Sequence, residues 1–101
     1  MEKEITDWRL KIDEIDEKLI ELLNRRAEYA IQIGKIKRAK GFPVYNPERE
    51  NKIYAHVKGR NRGPLSDMAI RRLFERIIDE TRRLERETYE KGNADGNQHE
   101  A

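Results

Sequence analysis

The chain has 101 residues, 22 Lys and Arg against 20 Asp and Glu for a net charge of +2, with 42% of residues charged and 36% apolar. That length holds one domain with a modest core, and the balance fits amphipathic helices with solvated outer faces better than a sandwich or barrel. Near-cancelling charge argues against a general polyanion-binding surface, and the lack of cysteine excludes disulfides, thiolate metal sites and cysteine nucleophiles together.

From Glu4 to Ala39 the residues Ile5, Trp8, Ile12, Ile15, Leu19, Leu22, Tyr29, Ile33 and Ile36 recur at steps of three and four, which predicts a long helix packed lengthwise on partners. Between Leu22 and Tyr29 the seam residue is Arg26, so a guanidinium stands where the other turns place an apolar group. An unpaired charge there costs roughly several kcal/mol and calls for an anion, either a protein carboxylate or a ligand. A rod of about 36 residues spans roughly 54 Å, whereas a compact chain of this length has a radius of gyration of about 13 Å. Two shorter helices folding back cover only part of such a rod. A second copy covers the rest, so an intertwined homodimer is expected.

Gly41 and Pro43 predict the end of this helix near Lys40. Lys35, Arg38 and Lys40 near that end read as complements to the helix dipole on a solvated face. Lys37 differs, because it lies three turns beyond Arg26 and projects from nearly the same face. Gly34, one turn earlier, weakens the helix by roughly 1 kcal/mol relative to Ala, which points to close packing or ligand approach. Asn46 and Pro47 read as N-cap and first residue of a short second helix to about Lys58, with Glu48 and Glu50 at its positive end and Ile53 and Val57 facing inward. Arg49, one turn before Ile53, continues that stripe in polar form.

Gly59, Gly63 and Pro64 mark the next loop. A third helix begins near Leu65, capped by Ser66 or Asp67, and carries Ile70, Leu73, Phe74, Ile77, Ile78 and Leu84 inward. Thr81 and Glu85 extend that stripe as a hydroxyl and a carboxyl. Residues 1–91 thus read as a helical domain, and the run GNADGNQHEA over 92–101, which has no apolar period, as a disordered tail.

Arg26, Lys37, Arg49, Glu50, Thr81 and Glu85 are polar groups at the inner stripes of three helices. One reading is a buried ion-pair network with Glu50 and Glu85 neutralising the cations. The other is a site for a small dianion, which suits three cations against two carboxyls.

The string WRLKIDEIDEKLIELLNRRAEYAIQIGKIKRAKGFPVYNPERE, followed by IRRLFERIIDETRRLE, resembles the all-helical class of chorismate mutase over roughly residues 5 to 88. The motif R-x2-I-D-x2-D-x2-L from Arg9, the R-x10-K pair of Arg26 and Lys37, the P-x-R-E turn from Pro47 and the third-helix stripe occur in order. The resemblance implies an all-α fold of three helices per chain (long, short and medium) in an intertwined dimer, with two equivalent sites. It assigns Arg26 to one substrate carboxylate and Arg9 of the partner chain to the other. Lys37 would contact the ether oxygen and a carboxylate. Glu50 would accept from the ring hydroxyl, Arg49 would support the site with the backbone at Asn46 nearby, and Ile33 and Ile78 would form apolar walls. Thr81 replaces the serine common at its position. Asn46 stands where some members have Asp, and Glu85 where many bacterial members have Gln.

The implied reaction, chorismate to prephenate in phenylalanine and tyrosine biosynthesis, is intramolecular and needs no nucleophile, metal or cofactor. The ether bond breaks as a carbon bond forms, with negative charge gathering on the ether oxygen. Catalysis then consists of holding the compact conformer and aiming donors at that oxygen. Arg26, Lys37 and a protonated Glu85 would serve this role.

Two other readings compete. One is isochorismate pyruvate lyase on the same scaffold, against which Glu50 speaks, since those lyases have an apolar residue there. The other is a non-catalytic dimeric helical module whose polar residues fix register. No nucleic-acid or membrane partner is expected: basic and aromatic residues do not interleave, and no apolar run approaches a membrane span. The charged N-terminus MEKEITDW is unlike a signal peptide, so a cytoplasmic protein is expected. Docking on another shikimate-pathway enzyme is left open.

Overall fold

In a computed structural model the chain forms three helices, α1 (Glu2–Lys40), α2 (Pro47–Arg60) and α3 (Asp67–Glu100), with no strand among the described residues. Residues 1–100 are described, the side chains of 92–100 excepted, so the disordered tail expected over 92–101 lies outside the residues described in full.

Local chemistry sets the ends of the helices. Gly41 takes the left-handed conformation at φ 71°, and the N–H groups of Gly41 and Phe42 donate back to the carbonyls of Arg38 and Lys37. Glu2 and Glu4 in the first turn and Lys37, Arg38 and Lys40 in the last complement the dipole of α1. Asn46 caps α2, its Oδ1 accepting from the Arg49 N–H at 3.1 Å, and Pro47 occupies the first turn. For α3 the cap is Ser66, whose hydroxyl accepts from the Ala69 N–H at 3.1 Å.

α3 packs on both α1 and α2, which do not pack on each other directly. The most buried side chains are few: Ala30 on α1, and Ile78 and Glu85 on α3. Gly34 makes a close crossing. A Cβ built there would lie 3.3 Å from the Glu85 carbonyl oxygen and 3.4 Å from the Glu85 Cα. The absent side chain therefore lets α1 and α3 approach at the residue that carries a carboxyl.

The other half of α1 is bare. Every residue from Glu2 to Arg25 is exposed, including the seam residues Ile5, Trp8, Ile12, Ile15, Leu19 and Leu22, with Trp8 65% exposed. The chain measures 66 × 28 × 14 Å, a flat and elongated body. No helix among the described residues is long and apolar enough to cross a membrane.

Candidate active site

A cleft of about 560 Å³ opens where the three helices meet. From α1 come Arg26, Ile33 and Lys37, spaced seven and four residues apart and so on one face. Asn46, Arg49 and Glu50 enter from the capped start of α2, and Ile78, Thr81 and Glu85 from α3. Nine of the ten residues expected at the site thus line one cavity. Arg9 is the exception: it sits on the exposed half of α1 and does not reach the cleft of its own chain.

Two carboxylates are already engaged. Lys37 Nζ donates to Glu85 Oε2 at 3.1 Å and to the Val44 carbonyl at 3.0 Å, in a pair whose side chains are 16% and 10% exposed. An ammonium has three donors, so one N–H of Lys37 remains for a ligand. Glu50 is held by Arg82, whose Nη2 donates to both carboxylate oxygens at 2.6 Å and whose Nε donates to Oε2 at 3.1 Å.

Arg26 meets no carboxylate. Its Nη1 donates to the Thr81 hydroxyl, which in turn donates to the Ile77 carbonyl at 2.8 Å. Burial, and then the neighbouring Arg49 guanidinium, hold Arg26 below the ordinary arginine range, with Glu85 working the other way. Among the described residues neither Arg26 nor Arg49 forms an ion pair. The lining carries Arg26, Lys37, Arg49, Lys52 and Arg82 against Glu48, Glu50 and Glu85, a surplus of two positive charges.

Sequence reasoning missed two participants. Arg82 lies four residues after Ile78 and three before Glu85, a helical spacing that could have placed it on the inner stripe. The Val44 carbonyl carries no sequence signal, because it depends on how the connector returns over Lys37.

Residues 8–86 match the family described as chorismate mutase type II. The chain belongs to that family. Among similar proteins, the bifunctional chorismate mutase/prephenate dehydratase of Neisseria gonorrhoeae is 40% identical over 78 residues, 77% of this chain and 21% of that protein. The chorismate mutase of Methanocaldococcus jannaschii is 38% identical over 58 residues, 57% of this chain and 59% of that one. A solved chorismate mutase from Thermus thermophilus (Form II) superposes with a TM-score of 0.80 at 32% identity, covering 81% of this chain and 93% of that chain. The present chain spans between a fifth and a quarter of the bifunctional relatives it matches. The all-helical, three-helix architecture expected from the resemblance is the one observed.

Proposed function

We propose that the chain is a chorismate mutase, an isomerase converting chorismate to prephenate, acting as a homodimer in which the partner's copy of Arg9 completes each cleft. The observation that carries this reading is the pairing pattern: both inner carboxyls are taken by Lys37 and Arg82, which leaves Arg26 and Arg49 charged, adjacent and without carboxylate partners. Like charges placed together in a half-buried cleft are stabilised by an incoming anion. A register-fixing network would pair them instead.

The chemistry follows from the donors. Arg26 and the partner's copy of Arg9 grip the two carboxylates and hold the compact conformer, which removes much of the orientational barrier. Ile33 and Ile78 wall the ring, and Glu50 accepts from its hydroxyl. As the ether bond lengthens, charge gathers on its oxygen, where the remaining Lys37 N–H and Glu85 act. The deciding experiment is incubation with chorismate and, separately, with isochorismate. Loss of chorismate with formation of prephenate is expected. Pyruvate released from isochorismate, with chorismate untouched, would replace the mutase with the lyase.

Glu85 can serve the ether oxygen only as a donor. As a carboxylate it accepts from Lys37 and repels charge on the ether oxygen, whereas as an acid it donates to that oxygen. Turnover is therefore expected to depend on a hydrogen-bond donor at this position. Glu85→Gln keeps a donor and is expected to retain kcat/KM for chorismate within about tenfold, whereas Glu85→Leu, which has none, is expected to lose more than that. Equal kcat/KM for the two variants would remove Glu85 from the ether oxygen and leave Thr81 as the polar contribution of α3.

Gly34 controls the same end of the site. An alanine there raises helix propensity by about 1 kcal/mol but presses its Cβ on the backbone of Glu85, which must move with the whole of α3. The melting temperature is expected to change by no more than a few degrees, while kcat/KM falls about tenfold through displacement of the carboxyl. Unchanged kcat/KM would mean that the crossing tolerates the methyl group without moving Glu85.

A further inference from the structure

Arg82 is a cleft-lining cation to which the proposed mechanism gives no task, and its surroundings show that it does not wait for a ligand. Nε and Nη2 are spent on Glu50, and Nη1 lies 3.6 Å from Asp79 Oδ1. The ring of Tyr45, from the connector, covers the guanidinium at 5.0 Å. Hydrogen bonding to Glu50 raises Arg82 further above its ordinary range against the opposing effect of burial. Connector, α2 and α3 therefore converge on one planar fork that lines the cleft.

A carboxylate joined to a chain by rotatable bonds can turn its acceptor sites in many directions. A fork that engages both oxygens fixes the plane of the group as well as its place, which a lysine, as a point charge, does not do. Such a carboxylate has about four acceptor sites, so Arg82 can occupy one edge and leave others directed along the cleft wall. We propose that Arg82 is a positioning residue that orients Glu50 to accept the ring hydroxyl of the substrate, and thereby sets the site's preference for a hydroxyl-bearing substrate. The inference rests on the chorismate reading of the site. Tyr45 adds a cation–π contact to the same guanidinium.

The test compares kcat and KM for chorismate and for its analogue lacking the ring hydroxyl, in the wild type, Arg82→Met and Arg82→Lys. Wild type is expected to prefer chorismate by about a hundredfold or more, the discrimination typical of a site built to bond a substrate hydroxyl. Arg82→Met is expected to lower kcat/KM for chorismate about tenfold to a hundredfold while leaving the analogue within about twofold, so that the preference collapses. Arg82→Lys keeps the charge that ties α2 to α3 and folds even if Arg82→Met does not; it loses the fork, so its preference falls to between those of the other two. Equal losses on both substrates would overturn the proposal and make Arg82 a tie between helices only. Unchanged constants in the lysine variant would also overturn it. A wild type that leaves chorismate untouched removes the reading beneath it, and the inference with it.

Discussion

An equimolar mixture of Arg9→Ala and Arg26→Ala chains, each inactive alone, is expected to recover about a quarter of the wild-type activity after refolding together. Positions 9 and 26 are seventeen residues apart on one continuous helix, about 25 Å, so one small dianion cannot touch both in a single chain. Arg9 is exposed, as is every residue of α1 from Glu2 to Arg25. In a mixed dimer one cleft joins an intact Arg26 to the partner's intact copy of Arg9, while the other lacks both. Random assortment makes about half the dimers mixed, each with one working site of two, which gives the quarter. Kinetics on the separate and mixed proteins check it. No recovery from a correctly refolded mixture would rule out shared sites, and full activity of Arg9→Ala alone would place the whole site within one chain.

Arg26→Leu is expected to separate activity from stability. The guanidinium is disfavoured where it sits, by burial and by Arg49, and its hydrogen bond is to a hydroxyl that already has a second partner in the Ile77 carbonyl. Replacing it with an apolar side chain relieves that unfavourable charge, so the melting temperature should hold or rise by a few degrees. Meanwhile kcat/KM for chorismate should fall by about three orders of magnitude, since a charge-assisted contact to a carboxylate and the orientation it enforces are both lost. A melting temperature lower by more than about 5 °C would instead favour a structural role for Arg26.

The helices were legible because their boundaries are local. Gly41 past the end of α1, the pair Asn46 and Pro47 opening α2, and Ser66 before α3 each act within one turn, and each does what its type predicts. Arg26 was legible for the opposite reason, as a violation of the apolar seam. The violation told of a missing anion, and the structure supplies a hydroxyl there and no carboxylate. Pairings between distant positions could not be read. Nothing in the order of residues tells that Glu50 closes on Arg82, 32 positions away, or that Glu85 prefers Lys37 to Arg26. The second choice depends on how closely α3 approaches α1, and the absent side chain of Gly34 permits that approach at the backbone of Glu85.

The excess of cations around Arg26 and Arg49 bears on how a turnover ends. In the proposed reaction, a rearrangement within one molecule, both carboxylates are conserved, so prephenate would leave with the same two negative charges that chorismate brought. Guanidinium groups that grip carboxylates hold both molecules alike, and uniform grip of this kind lowers KM without raising kcat. Prephenate should therefore compete with chorismate at concentrations close to KM. Departure of the product becomes the slow event once the bond exchange is fast, and salt that screens Arg26 and Arg49 should hasten release even as it weakens capture.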